Sequence, residues 1–442
     1  MKYFRKLIKL LIPRGLFRKV EPYGHLIEAV LANIRYGFPA RNMQVIGVTG
    51  TNGKTTTTLM IHKLLSSAGY RVGVLSTVAV GVGEDIVPRT KHMTTDKPSI
   101  LQRHLRDFKK AGVGWVIVEV SSHSLAQHRV WGIPFEIAVL TNITEDHLDY
   151  HGTFERYLRA KRRLFKIAAR HGRRLGIVNA DDSNSDRFAD AVPLHVSYGL
   201  KQAEVQAENI KTSITHSTYT AKAGRNQYKI RVNIPGKFNV SNSLAAVAVG
   251  RELGLSRSQI EKGIASLSSV AGRMQTVHAG QKFGVMVDFA STPDGFEKFF
   301  ETVRPQVKGK LVAVFGSAGE RDKAKRSQQG EIAGKYAGEV VLTEEDDRSE
   351  DGHKILEKIA AGAQKAGLKL DKTIHLVHNR EEAIGFALTR VSTDKDMVVL
   401  LGKGHEKTIE RFDGEHPWDE VGMAVHALEA LQQAKKATKS KD

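Results

Sequence analysis

A chain of 442 residues is too long for one ordinary core and suits two or three domains. Hydrophobic residues at 41% and charged residues at 26% exclude a disordered or membrane-embedded chain, and the absence of Cys excludes disulfides, thiolate metal sites and thioester intermediates. Lys and Arg outnumber Asp and Glu by 67 to 48, but the excess is spread along the chain without zinc-finger or RNA-recognition spacing, so anionic substrates are expected and no nucleic-acid partner.

Residues 1–20 hold seven Lys or Arg and no acid. Phe4, Leu7, Ile8 and Leu11 fall at helical spacing, with Lys2, Arg5, Lys6 and Lys9 on the other face. Such a helix suits either an anionic membrane surface or packing on its own protein. Pro13 ends it too early for a span, and no small-residue cleavage site follows. Residues 1–42 are read as a basic helical segment. Lys435, Lys436, Lys439 and Lys441 read as a solvated, frayed C-terminal tail.

From residue 43 short apolar runs alternate with helical stretches. Residues 43–48, 72–76, 115–120, 137–141 and 175–179 predict buried strands, and 55–68, 99–111 and 154–169 predict helices. Gly69 and Gly112 stand where helix C-caps are needed. This alternation predicts a parallel sheet covered by helices. Residues 204–235 change to antiparallel character. A second alternation starts near Phe283, with strands at 285–289, 311–315, 340–343 and 397–401. The break at 268–273 divides a central domain, 43–270, from a C-terminal domain, 271–442.

Gly50-Thr51-Asn52-Gly53-Lys54-Thr55 lies between the first strand and the first helix, with Thr56 following. Glycines let backbone N–H groups close around phosphate oxygens, Lys54 reaches the β and γ phosphates, and Thr55 offers a hydroxyl to Mg²⁺. The strict motif wants Gly where Val48 stands, although Gly47 is adjacent. The expected class is α/β, with a P-loop central domain and a Rossmann-like C-terminal domain. Chemistry should collect at the carboxyl ends of the strands. Glu119 closes the third strand, and His147 follows the fourth in Glu145-Asp146-His147-Leu148-Asp149. Both are placed to face a γ-phosphate and hold a second Mg²⁺.

Residues 50–58, Glu-Val-Ser-Ser-His-Ser-Leu-Ala-Gln-His-Arg at 119–129, and 142–152 followed by Ala160-Lys161 resemble the Mur ligases. They are most similar to the branch that adds the third residue to UDP-N-acetylmuramoyl-dipeptide. The likeness continues in order through 236–242, 272–274, 288–294, 316–326 and 402–406. It implies that ATP phosphorylates the carboxylate ending a muramoyl-peptide and that an incoming amino acid's amine attacks the acyl phosphate. By the same resemblance Lys54, Glu119, His147 and Lys161 are catalytic, and Thr55, Glu119, His147 and Lys161 serve two Mg²⁺ ions. Lys161 matches the family's carbamylated lysine, where the residues alone suggest an ordinary basic position on a helix. Asn239, Asn242, Arg273 and Asp322 match nucleotide contacts, and Thr94, Thr95, Ser122, Gln127 and Arg129 match the muramoyl-peptide grip. Arg348, Gly402 and Glu406 match contacts to the incoming amino acid, and Arg321 and Asp346 are read as substrate-binding.

Three departures qualify the likeness. The family's UDP-binding N-terminal domain is roughly a hundred residues, and only about 40 residues precede the first strand here, too few for such a fold. Weak UDP binding, a partner that supplies the surface, or a lipid-linked acceptor would each account for that. The family's His-Thr-Pro-Asp reads Ser291-Thr292-Pro293-Asp294. Asp-Asn-Pro-Arg of the diaminopimelate-adding members reads Glu345-Asp346-Asp347-Arg348, where Arg348 could fork onto a carboxylate and the extra acids favour a cationic far end. Diaminopimelate is expected over lysine. The bland reading of residues 343–351 is a solvated charged loop. A cytoplasmic, monomeric ligase is expected, with the inner membrane face open to it through the basic helix. A Mur-like ligase for another acceptor and a catalytically inactive nucleotide-binding scaffold are the alternatives.

Overall fold

The computed structural model describes residues 14–89 and 93–439. The amphipathic pattern at residues 4–11 lies outside the described residues. A 23-residue helix, Arg14–Tyr36, fills most of the N-terminal segment.

Among the described residues, eleven strands form one sheet and six another. Seven strands of the larger sheet are parallel, in the order Val205–Thr212, Leu194–Gly199, Leu175–Asn179, Phe135–Leu140, Gln44–Thr49, Trp115–Glu119, Val72–Leu75. Helices cover both faces of the central strands, so Trp115–Glu119 is buried throughout, as its unbroken apolar run requires. The antiparallel strands Ser217–Ala223 and Asn226–Val232 extend one edge, so the change of character near residue 204 marks an edge of the same sheet. A hairpin of Ala79–Val82 and Asp85–Pro88 closes the other edge. Its short, half-exposed strands carry too little alternation to be read from sequence.

The helix Lys54–Ser67 is buried along most of its length, packed between the sheet and the helices Lys237–Glu252 and Arg257–Ala265. Leu64 touches Gly250 and Gly263, where added Cβ atoms would lie 2.9 and 2.7 Å from it. Glycine there permits close helix approach. The C-cap expectations hold: Gly69 and Gly112 sit just past helix ends at φ 94° and 70°. Gly47 makes room for Leu164 and Phe135, both 2.8 Å from where its Cβ would lie.

The smaller sheet orders Gln275–Thr276, Gly284–Asp288, Met397–Leu401, Leu311–Phe315, Glu339–Leu342 and Ile374–Leu376, parallel except for the first. Of the positions expected in a C-terminal tail, 435, 436 and 439 lie on the helix Glu420–Lys439. Lys441 lies outside the described residues.

Candidate active site

The loop ahead of Lys54 turns through Gly50 and Gly53, both with positive φ. A Cβ on Gly50 would lie 1.8 Å from Thr141 Oγ1, and one on Gly53 2.2 Å from Asn242 Oδ1, so no larger residue fits either place. The end of the neighbouring strand Phe135–Leu140 holds the loop. Thr51 N donates to Asn142 O at 2.8 Å, Asn52 N donates to Asn142 Oδ1 at 3.0 Å, and Thr141 Oγ1 donates to Asn52 O at 2.6 Å. Lys54 Nζ folds back to Gly50 O (3.0 Å) and Thr51 O (2.7 Å), which satisfies a buried ammonium. Burial still lowers its pKa, against the pull of Glu119 and Asp146. An anion entering the loop finds this cation desolvated and aimed.

Behind the loop lies a set of hard oxygen ligands. Thr55 Oγ1 donates to Glu119 at 3.0 and 3.1 Å from its two oxygens, and Thr77 N donates to Glu119 Oε2 at 2.7 Å. Hydroxyl beside carboxylate suits Mg²⁺. His147 stands at φ 54° ahead of the short helix Leu148–His151, its N–H donating to Asp146 Oδ1 at 2.8 Å. Burial, then Lys161 and Lys54, pull the His147 pKa down to about 3, so the ring is a neutral donor. The rings of His123 and His147 are 4.7 Å apart, and burial with His147 beside it lowers His123 to about 3 as well. His123 was not singled out from sequence, where a lone His carries no such signal.

Lys161 is no ordinary surface base. It is buried on the helix Phe154–Ala168, with Nζ donating to Gly50 O at 2.5 Å and lying 4.7 Å from the Tyr157 ring centroid. Burial, then Lys54, drives its pKa well below the usual lysine range. A neutral amine is the form that attacks CO₂ to give a carbamate.

A cleft of about 1180 Å³ runs from this loop to the smaller sheet. Thr51, Asn52, Gly53, Lys54, Thr55 and Thr56 line one wall, with Glu119 and His147; Asn239 and Asn242 adjoin them. Asn242 Nδ2 donates to Asn239 Oδ1 at 3.0 Å, and Asn239 Nδ2 to Pro235 O at 2.7 Å. Arg273, Arg321, Asp322, Asp346, Arg348 and Glu406 line the facing wall. Arg273 stacks on Phe289 at 4.6 Å, and burial lowers its pKa against the pull of Asp288. Asp322 accepts from Ala324 N at 2.9 Å. Asn52 Nδ2 reaches across to Thr292 Oγ1 (3.3 Å) and Asp294 Oδ2 (2.8 Å), and Arg321 lies 3.9 Å from Asp149. These cross-cleft contacts are invisible in sequence, although Thr292 and Asp294 belong to a noted motif. Ser291 lines the cleft, and its carbonyl accepts from Lys325 Nζ at 3.1 Å and from Gln329 Nε2 at 3.0 Å.

Of the residues matched to the acceptor, Thr94 lines the cleft, while Thr95, Gln127 and Arg129 are hydrogen-bonded to one another outside the lining and Ser122 pairs separately. Thr95 Oγ1 donates to Glu119 O at 2.9 Å, and Arg129 donates to Thr95 O at 2.9 Å and to Gln127 Oε1 at 2.6 Å. Ser122 Oγ pairs with His151 Nε2 at 3.0 Å. Gly50, Lys161 and Gly402 also lie outside the lining.

The stretch after Glu339–Leu342 is not a solvated loop: Glu344, Glu345, Asp346 and Asp347 are all buried. Asp346 Oδ1 accepts from Lys403 Nζ at 2.9 Å and from Glu410 N at 2.8 Å, and Lys403 also pairs with Glu406 at 2.6 Å. Arg348, at φ 55°, donates through Nε to Glu410 at 2.8 Å and through Nη1 to Gly319 O at 2.5 Å, while its Nη2 lies 3.8 Å from Asp346 Oδ2. Glu345 packs against Gly402, which turns at φ 102°; its Oε2 has no hydrogen-bond partner, and burial raises its pKa. Glu344, Asp347 and His378 bring possible ligand atoms within 4.8 Å of one another, but Arg411 forks onto Glu344 at 2.7 and 2.8 Å and fills the cation's role.

Two family descriptions match the chain: the Mur ligase middle domain over residues 48–250, and the Mur ligase glutamate ligase domain over residues 272–404. The chain is 39% identical over 426 residues to a UDP-N-acetylmuramyl-tripeptide synthetase of Roseiflexus sp. (strain RS-1), covering 93% of this chain and 83% of the relative. It is similar to a solved UDP-N-acetylmuramoyl-L-alanyl-D-glutamate–2,6-diaminopimelate ligase at 32% identity and a TM-score of 0.61, over 89% of this chain and 80% of that one. The fold is shared with Mycobacterium tuberculosis folylpolyglutamate synthase in complex with ADP and AMPPCP, at 17% identity and a TM-score of 0.69, over 85% of this chain and 92% of that one. With a phosphate loop facing a second α/β domain across one cleft, and these likenesses over most of its length, the chain belongs to the Mur ligase family of ATP-dependent, ADP-forming amide ligases that build peptidoglycan precursors.

Proposed function

We propose that the chain joins a diamino acid, diaminopimelate in preference to lysine, to the terminal carboxylate of a muramoyl-dipeptide in the cytoplasm. The observation that carries this reading is a single cleft with a phosphate loop on one wall and, on the other, the buried acids Glu345 and Asp346 with half-buried Arg348. The likeness to a tripeptide synthetase and to a diaminopimelate ligase supports it.

A carboxylate is a poor electrophile until it carries a leaving group. Its oxygen attacks the γ-phosphorus of ATP, the bond to the β–γ bridging oxygen breaks, and ADP leaves an acyl phosphate behind. The incoming amine then attacks the acyl carbon, sheds a proton, and expels phosphate with the former carboxylate oxygen. Lys54 and the N–H groups of the loop bind the β and γ phosphates and orient them in line. Thr55, Glu119 and His147 fit Mg²⁺, and carbamylated Lys161 would add an anionic ligand toward a second ion; bound Mg²⁺ supplies charge neutralisation at the phosphate oxygens. Arg273, Asn239 and Asn242 hold the nucleotide from the far side and from the rear of the loop. Closure of the cleft keeps water from the acyl phosphate. Glu345, with its free oxygen, and Asp346 face the incoming amino acid, whose cationic groups they attract.

Phosphate release with Mg²⁺-ATP and UDP-N-acetylmuramoyl-dipeptide tests the reading, with diaminopimelate and lysine assayed separately and product mass measured. Release that requires diaminopimelate, with a product heavier by that residue, supports it. No release with either amino acid sinks this acceptor assignment.

A further inference from the structure

The helix Arg14–Tyr36 has two faces of opposite fate. His25, Ala29, Ala32 and Asn33 are buried against the central domain. Asn33 Nδ2 donates to Trp131 O at 2.8 Å, and its side chain covers Gly132, where a Cβ would lie 2.4 Å from Asn33 Oδ1. The Arg106 guanidinium, on the helix Pro98–Lys110, lies 5.3 Å from the Tyr36 ring centroid. The helix is therefore held in one orientation. On the other face Tyr23, Ile27, Leu31 and Ile34 are 69, 60, 60 and 61% exposed. Their spacing of four, four and three residues puts them in one stripe. Other large exposed hydrophobics among the described residues are scattered along the chain, as is ordinary on a protein surface.

We propose that this stripe seats on an anionic lipid surface, a property separate from the ligase reaction. Charge selects that occupant. Residues 1–20 carry seven Lys or Arg and no acid, and Arg35 and Arg41 are exposed at the other end of the stripe. The helix Arg14–Tyr36 carries two acids, Glu21 and Glu28, against Arg14, Arg18, Lys19 and Arg35, and Glu28 is half-buried 3.9 Å from His25. A second copy docked through the same stripe would bring two such basic segments together, and like charges oppose that. An anionic bilayer attracts the segment and receives the apolar side chains at the headgroup boundary. Among the described residues no helix is long and apolar enough to cross a membrane, so the contact is peripheral. The docked face meets Trp131, two residues beyond Arg129, so the seated helix holds the acceptor side of the cleft close to the lipid.

The test is co-sedimentation of the full chain with vesicles of phosphatidylcholine alone and of phosphatidylcholine with phosphatidylglycerol. Binding should require the anionic lipid, weaken with added salt, and fall about tenfold in Ile27→Glu/Leu31→Glu, whose positions are exposed and far from the chemistry. Ile27→Ser/Leu31→Ser, with melting temperature and ATP affinity measured alongside, separates a lost surface from a lost fold. Wild-type protein that ignores anionic vesicles overturns the proposal. So does a wild-type dimer that the double substitution converts to monomer, since the stripe would then be covered by a second copy. Failure of the ligase assay leaves this measurement untouched.

Discussion

The side-chain amide of Asn52 donates to Asp294 Oδ2 at 2.8 Å, joining the phosphate loop to the first turn of the helix Pro293–Val303 across the cleft. Loop and far wall thus share a direct tie, and the same amide touches Thr292 Oγ1 at 3.3 Å.

Asp294→Ala should raise the KM for ATP about three- to tenfold, the scale of one or two partly exposed hydrogen bonds. Asn52→Ala should do the same, and the double variant should cost less than the sum. Steady-state kinetics of the three variants check this; strictly additive effects would mean that the tie is not made with ATP bound.

Lys161 is buried beside Lys54 and held by Gly50 O, and its lowered pKa makes the neutral amine available for carbamylation. Lys161→Arg keeps a cation but cannot take up CO₂, and should lower kcat about 100- to 1000-fold while ADP still binds. Carbon-13 NMR with labelled bicarbonate should show a carbamate signal in the native chain only. Full activity in Lys161→Arg would refute the assignment.

Arg380 and Glu420 form a fully buried pair, with Nη2 to Oε1 at 2.6 Å, and Trp418 Nε1 donates to Glu420 Oε2 at 2.7 Å. Arg380 also donates to Glu344 O and Leu401 O, at 3.0 and 2.8 Å, so the pair anchors the chain just after two neighbouring strand ends, ahead of Glu345 and of Gly402. Glu420→Ala leaves a buried guanidinium uncompensated and should cost about 3–5 kcal/mol. Chemical denaturation measures the loss, and a cost within about 1 kcal/mol of zero would contradict the role.

His62 is buried, and burial lowers its pKa to about 4, with His123, His147 and His151 lowered alongside it. The unfolded chain, with imidazoles near 6.5, takes up protons first, so stability is complete above about pH 6.5 and falls as pH drops toward 4. His62→Leu should remove roughly 2–3 kcal/mol of that acid sensitivity, measured as the difference in unfolding free energy between pH 7.5 and pH 4.5. An unchanged difference would rule out His62 as a source.

Local order along the chain determined a good deal. The run from Gly50 to Thr55 between a Val-rich strand and a helix marks a phosphate loop, because glycines, lysine and hydroxyl must stand at those spacings to cradle phosphate. Strand-end positions pointed to Glu119 and His147 beside that loop, and the structure puts both in the lining of the same cleft. Tertiary structure alone decided that Lys161 lies under Gly50, that Asn52 reaches Asp294, and that Lys403 satisfies Asp346 while Glu345 keeps an unpartnered oxygen. It also decided that a stretch as acidic as Glu344 to Asp347 is buried and that Ile27 and Leu31 are not. Burial, and the pKa and pairing it imposes, depend on which elements meet from hundreds of residues apart, and no local pattern encodes that meeting.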